Sequence, residues 1–403
     1  MSAVCGSGEA VEFFKPGLLI DFMRHRRVYM AISFTLVTAS IISLFFPGPN
    51  YGTDFLGGTE IQVSFQGDVS SSEVRTALQE LGYEGADVVE VVERPNEYIL
   101  RTGEFSAISD EQKEQIRTAL TDAVAAVEGV EVRRIRIPDG GDKVRIQLSE
   151  DMEPQLLQDA LTALDVNVLR VSHFGNPGSH TYEAQLTGVA EELLQGLATS
   201  FADRPPNSPE RIERVGPRAG AQLRDAAIKS LLYAIMFIMV YVAFRFDLRF
   251  APGGVIAMAH DAIITVGVFI LLQKEFNLTI VAALLTIVGY SINDTIVVYD
   301  RIRENIGRYR DKSLYEVINL STSQMLSRTI VTSGTTLLSV SAFFVWGTAV
   351  IRDISFALFI GILIGTYSSI YVAAPLTEWM DRRFFSRVKA RAKRARARQR
   401  KKA

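Results

Sequence analysis

Six stretches of this chain are apolar for close to twenty residues at a time, and that sharply limits what the chain can fold into. A helix crossing the hydrocarbon core of a bilayer needs about 20 mostly apolar residues. Residues 28–46 form the first such stretch, closed by Pro47-Gly48-Pro49. A long gap follows, and then come 226–244, 254–272, 278–298, 329–349 and 355–375. So many runs of membrane length, crowded into the last part of the chain, fit spans better than the buried helices of a soluble core. The reading is a polytopic α-helical membrane protein with six transmembrane helices.

Orientation follows from where Lys and Arg flank the spans. Arg24, Arg26 and Arg27 precede the first span and put the N-terminus inside. Alternation then puts 47–225 outside. Arg245 and Arg249, then Arg301, Arg303, Arg308, Arg310 and Lys312, fall in inner connections. The short loops around Lys274-Glu275 and Arg352-Asp353 each balance one base with one acid, as outer loops can. The chain thus divides into a cytoplasmic N-terminus (1–27), the first span (28–46), a large extracytoplasmic domain (47–225), spans two to six (226–375) and a basic cytoplasmic tail (376–403). The setting expected is a bacterial inner membrane.

Charge is informative by segment. The net charge of -2 conceals twelve Lys or Arg and no acid from Arg382 to Lys402. Such a tail either binds anionic lipid head groups or ribosomal RNA, or is a solvated topology anchor. Cys5 is alone, so no intrachain disulfide forms, and four His with one Cys offer no zinc spacing. The first apolar run is too long, comes too late and lacks a small-residue cleavage site, so a cleaved signal peptide is not expected.

Residues 59–216 read as an α+β domain. Strand and helix patterns run β-α-β-β-α-β twice, the ferredoxin-like order, with a junction at Pro138-Asp139-Gly140-Gly141. Two tandem units are expected, 59–138 and 142–216, with one larger sheet as the alternative. Ser70 and Ser109 stand as helix N-caps. No nucleotide loop, Ser-His-Asp set or paired-carboxylate motif occurs there, and His173 and His180 flank a Gly/Pro loop as surface or turn residues. Binding or clamping fits this domain better than catalysis, so the chain is not expected to be an enzyme.

Ionisable groups within spans cost roughly 2.5–3.5 kcal/mol each on insertion scales, so each needs a reason. Asp261 lies in the third span, Asp294 near the inner end of the fourth, and Arg328 begins the fifth. All three can meet at one depth if the helices pack together. A carboxylate there responds both to desolvation and to a nearby cation, which suits a proton carrier. A static Asp–Arg pair fixing helix packing is the plainer alternative. Asp261 can instead be wetted near the inner end, with His260 facing away from it as an interfacial residue, and Asn293 can hold Asp294 by a hydrogen bond. Gly361 and Gly365 form a small-xxx-small pair in the sixth span, and Gly289 sits in the fourth. Residues 300–325 read as an amphipathic surface helix pair.

These residues fall into recognisable blocks. Asp54-Phe55-Leu56-Gly57-Gly58-Thr59 follows the first span, and Val215-Gly216-Pro217-Arg218-Ala219-Gly220 enters the second. Val288-Gly289-Tyr290-Ser291-Ile292-Asn293-Asp294-Thr295 continues through Asp300-Arg301-Ile302-Arg303-Glu304-Asn305, and Ser327-Arg328-Thr329 opens the fifth span. Together they resemble the SecF family of protein-export membrane proteins, related to proton-driven exporters of the resistance-nodulation-division type. The resemblance implies an accessory subunit of the Sec machinery that pairs with SecD and associates with the SecYEG channel. It implies use of the proton gradient to draw the translocating polypeptide outward. Asp294 and Arg328 match the family's proton-pathway positions, with Asp261 and Asn293 as further candidates. Gly57, Gly58 and Pro217 are candidate hinges between the outer domain and the first two spans. No cofactor is expected, and the coupling ion is H⁺ with Na⁺ as the alternative. The doubled outer domain departs from the family's single unit; the extra unit is either an added chaperone-like surface or a spacer. A passive assembly scaffold, and half of a small-molecule exporter, remain as rival readings.

Overall fold

The computed structural model describes residues 19–385 apart from 92–93, 107, 165, 177 and 247–249. Cys5, Arg249 and the basic run from Arg387 onward lie outside the described residues. The chain forms two compact units. One joins the residues up to Asn50 with those from Ala226 onward, and the other is Tyr51–Asp225.

The first unit is helical. It comprises α1 (Arg26–Ser43), most of α7 (Pro217–Arg245), α8 (Ala251–Leu271), α9 (Leu278–Arg308), α10 (Leu314–Trp346), α11 (Ala349–Ser368) and α12 (Ala374–Met380). Among the described residues, five helices are long and apolar enough to cross a membrane; four are α7 to α10, and the fifth is the continuous stretch Val350–Phe384. The first apolar run forms α1, an 18-residue helix that begins with two arginines. Residues 300–325 are not a separate pair of surface helices. They extend α9 and α10, giving helices of 31 and 33 residues. The break between them is fixed by Ser313, whose hydroxyl accepts the Glu316 N–H while the Glu316 carboxylate accepts the Ser313 N–H.

Ion pairs cluster at the two ends of the bundle as alternating spans require. At one end Arg26 pairs with Glu378 at 2.9 Å. At the other Lys274 pairs with Asp353 at 2.7 Å, joining the two short, charge-balanced loops. A five-residue π-helical stretch, Ser369–Ala373, separates α11 from α12. It precedes Pro375, which has no N–H to give and whose ring crowds the carbonyl four residues back, so the local widening has a cause in the sequence.

The second unit is α+β. Its elements are α2 (Thr53–Leu56), β2 (Gly58–Ser64), α3 (Ser71–Glu80), β3 (Asp87–Glu90), β4 (Glu97–Thr102), α4 (Asp110–Ala125), β5 (Val132–Arg136), β6 (Lys143–Leu148), α5 (Pro154–Thr162), β7 (Val168–His173), β8 (Thr181–Leu186), α6 (Val189–Ser200) and β9 (Arg211–Val215). Two further two-residue strands are β1 (Asn50–Tyr51) and β10 (Glu275–Phe276). Ser70 and Ser109 cap α3 and α4 as the sequence predicts, each in a reciprocal capping box.

The strand pairing corrects the tandem division. One sheet has the order β3-β4-β2-β9 and the other β5-β6-β8-β7, each antiparallel throughout. β9, far along the chain, completes the first sheet beside β2, and β5 pairs with β6 across the supposed junction at 138–141. The segment from α4 to β8 is therefore inserted, between β4 and α6, into the fold built on the β3-β4-β2-β9 sheet. Two separate cores bear this out. Ile61, Val63, Leu78, Tyr98 and Leu100 pack with Leu193 and Leu197 of α6, while Ile116, Leu120, Ile146 and Tyr182 pack with Leu157 and Leu161 of α5. Alternation along each strand identifies inward residues but not strand partners, which is why consecutive order misleads here.

Candidate functional site

The two buried carboxylates of the helical unit, Asp261 and Asp294, lie where α8, α9, α10 and α11 meet. Small residues allow that approach. A Cβ on Gly361 of α11 would fall 2.4 Å from the Ile287 side chain of α9, and one on Gly365 would lie 3.2 Å from Ser291 Cβ. The predicted small-xxx-small pair thus closes the α9–α11 interface. Gly289 has no such role, since a Cβ there would meet nothing within 4 Å.

Asp261, on α8, is 0% exposed. Its Oδ2 accepts the Ser291 hydroxyl of α9 at 2.5 Å and the Ser368 hydroxyl of α11 at 2.7 Å. Its Oδ1 lies 2.8 Å from His260 Nδ1. The expectation of a wetted Asp261 and an interfacial His260 is therefore wrong on both counts. The carboxylate is sealed by three helices, and the imidazole, 5% exposed, turns back to it.

Asp294, on α9, is 4% exposed. Its Oδ2 accepts the Ser333 hydroxyl of α10 at 3.1 Å, and Ser333 in turn accepts the Thr366 hydroxyl of α11 at 2.9 Å. Two partners expected from the sequence are not there. Asn293 is exposed on the surface of the chain and makes no bond to the buried Asp294. Arg328 is likewise exposed, and among the described residues no ion pair within 4.0 Å joins it to Asp294 or Asp261. The three ionisable residues do not converge in one cluster. They form two hydroxyl-lined carboxylate sites and one outward-facing cation.

Sequence reasoning missed the hydroxyls. Ser291 sits one turn before Asp294 on α9, Ser333 is one of many Ser and Thr residues of α10, and Thr366 lies near the end of α11. Thr366 and Ser368 are two residues apart, about 200° around the helix, so α11 sends one hydroxyl toward each site. Small polar residues inside spans are a usable signal, but Ser and Thr also bond their own helix carbonyls, as Thr366 does to Ile362 at 2.8 Å.

The C-terminal part of α9 is held to α10 by the Asp-Arg-Ile-Arg-Glu-Asn run. Asn305, fully buried, donates to Ser321 Oγ and Gln324 Oε1 at 2.9 Å each, and Arg301 Nε donates to the same Gln324 oxygen at 2.6 Å. Arg301 therefore serves helix packing as well as the surface.

In the second unit Gly57 and Gly58 lie at φ +81° and +122°, conformations that side chains rarely adopt. A Cβ on Gly57 would come 2.9 Å from Pro217 Cα, and one on Gly58 2.2 Å from the Thr102 carbonyl oxygen. The start of β2 is thereby closed on the start of α7, a contact that the sequence did not predict.

Residues 42–69 match the SecD/SecF GG motif, and residues 199–383 match the C-terminal model of the protein export membrane proteins SecD and SecF. A protein translocase subunit SecF from Koribacter versatilis is 34% identical over 397 residues, covering 90% of this chain and 93% of that one. The chain belongs to the SecF family. A second SecF, from Vibrio alginolyticus, is 36% identical over 365 residues and covers 91% of each chain. Among solved structures, SecDF from Thermus thermophilus, a translocon-associated membrane protein, is similar with a TM-score of 0.54 at 30% identity. The match covers 89% of this chain but 38% of that longer one. With five helices of membrane length and these bacterial relatives, this SecF family member is a bacterial membrane protein. The matched GG motif holds the Gly57-Gly58 turn, and the C-terminal model covers Asp261, Asp294 and Arg328.

Proposed function

We propose that this chain is an accessory subunit of the Sec protein-export machinery that acts with SecD and uses the proton gradient to promote translocation through SecYEG. The observation that carries the ion-coupling part is Asp294. It is an almost fully buried carboxylate in a span, held by a serine hydroxyl, with no cation within ion-pair distance among the described residues. A carboxylate so placed can change charge without breaking a salt bridge. Arg328 and Asn293, polar yet exposed on α10 and α9, suit contact with a second membrane half such as SecD, and Arg328 completes the pathway from there. The solved SecDF neighbour is a longer chain, which fits a companion half. Asp261 is a further candidate on that proton pathway. The coupling ion is H⁺, with Na⁺ as the alternative at Asp294.

In this reading α1 is the sixth span, the termini are cytoplasmic, and Tyr51–Asp225 lies outside. The outer domain is a ferredoxin-like unit carrying a second, circularly permuted one as an insertion, and the Gly57-Gly58 turn with Pro217 is its hinge to the first two spans. It engages the translocating polypeptide without covalent chemistry. The tail beyond Arg387 binds anionic lipids.

The test is export of a secreted reporter in cells carrying Asp294→Asn, with subunit abundance and SecD co-purification measured alongside. Lost export with intact abundance and pairing is expected. Normal export would remove Asp294 from the mechanism and favour a passive scaffold.

A further inference from the structure

His260 is a buried base with one nitrogen unused. Its Nδ1 faces Asp261 Oδ1 at 2.8 Å, while Nε2 is enclosed and has no hydrogen-bond partner among the described residues. Asp261 already accepts two hydroxyls, from Ser291 and Ser368. An ionised carboxylate only accepts, so the third bond requires the proton to sit on Nδ1. That leaves Nε2 as a bare lone pair inside the bundle. The Tyr367 ring stacks beside the imidazole at 6.4 Å and 25°, but its hydroxyl donates to the Tyr29 carbonyl at 2.9 Å and accepts from Ser33. It is not available to His260.

The other titratable or charged groups on elements packed against α8 are engaged elsewhere. On α1, Arg26 is paired with Glu378 of α12. Tyr29, Tyr367 and Tyr371 stack together as an aromatic cluster. On α9, Tyr290 donates to Thr336, Asp294 faces Ser333, and Tyr299 faces Thr377. On α11, Asp353 holds Lys274 at the far end of the bundle. No fixed charge is therefore committed to the dyad.

We propose that the His260–Asp261 dyad is a second proton-binding site of the membrane unit, taking its proton on His260 Nε2. The proton enters on the Nε2 lone pair while Nδ1–H stays on Asp261. The dyad passes from net charge −1 to zero, and no covalent bond breaks. The two carboxylate sites share α9 and α11, so a proton at either is felt by the same helix pair. The proposal rests on the ion-coupling reading for its purpose, but not for its measurement.

The chain holds only four histidines, His25, His173, His180 and His260, so ¹⁵N-histidine labelling of the full-length protein in lipid nanodiscs reads this site directly. Its signals are assigned by difference from His260→Gln. As the pH is varied, a single protonation step at Nε2 is expected. The step should persist in Asp294→Asn and be displaced in Asp261→Asn. A His260 signal that keeps one protonation state throughout would overturn the proposal, as would a step unmoved by Asp261→Asn. A step abolished by sodium chloride but untouched by choline chloride would overturn it in favour of a metal-cation site. Because the readout is the imidazole itself, it succeeds or fails independently of whether Asp294→Asn stops export.

Discussion

Replacing Gly361 by Ala tests whether the spacing of α9 and α11 matters to the carboxylate sites. The added methyl would stand 2.4, 2.5 and 2.7 Å from three side-chain atoms of Ile287, where ordinary contact begins at 3.4 Å. Ile287 is buried, and a β-branched side chain in a helix has one strongly preferred χ1, so it cannot swing aside. The helices must then part by about 1 Å, at an overpacking cost of about 1–3 kcal/mol. The same 1 Å would stretch the Ser368–Asp261 bond from 2.7 Å to about 3.7 Å, beyond hydrogen-bonding distance. The Ser291–Asp261 bond, between α8 and α9, would survive. Gly361→Ala should therefore lower reporter export and lower the melting temperature of the detergent-purified protein. Ile287→Ala alone should cost about 2–5 kcal/mol through its cavity. Adding it to Gly361→Ala should recover stability, giving a favourable coupling of about 1–3 kcal/mol in the double-mutant cycle. A Gly361→Ala protein as stable and active as the parent, or a cycle in which the two effects simply add, would refute the reasoning.

The α+β unit yields two further expectations. Gly58→Ala places a methyl 2.2 Å from the Thr102 carbonyl at φ +122°, so strain of about 1–3 kcal/mol and overpacking of about 1–3 kcal/mol should open the β2–β4 edge, read as accelerated amide exchange on both strands. Burial, with Glu192 and Glu104 nearby, pushes the Tyr83 phenol up to about 12 from its ordinary 10. The stabilisation this gives is full below pH 10 and lost as pH rises through about 12, so in urea titrations the parent should lose stability relative to Tyr83→Phe over that window and hold its difference at pH 9. A constant difference across the window would refute it.

How much of this was legible from sequence depends on the length of the interaction. Span positions were readable because twenty apolar residues in a row have few alternatives. The caps at Ser70 and Ser109 were readable because a capping box closes within four residues. The contact of Gly57 with Pro217 was not readable, since it spans most of the α+β unit; the family's motifs marked both residues only as hinge candidates. The nesting of the two sheets was not readable, because strand alternation carries no label for which of the other strands lies alongside. At the membrane site, sequence named the carboxylates but gave them wrong partners. Asp294 and Arg328 look complementary on paper, yet the described residues give Asp294 a serine and leave Arg328 facing outward. Polar groups in an apolar bundle are satisfied by whichever hydroxyl the packing brings near, and that depends on helix rotation.

The same geometry says why two sites are better placed than one to move a helix. α11 sends Ser368 directly to Asp261, and Thr366 to Asp294 through Ser333, from opposite sides of the helix. Each hydroxyl now donates toward an acceptor. On the proposed ion-coupling reading, a proton on Asp294 removes the charge from its bond with Ser333 and weakens it, while Ser368 still holds an ionised Asp261. The stronger bond on the opposite side then favours rotation of α11 over simple loosening. The π-helical stretch Ser369–Ala373 begins directly after Ser368, and its wider turn offers the place where such a rotation can be absorbed without breaking α12 from its anchor at Tyr299 and Thr377.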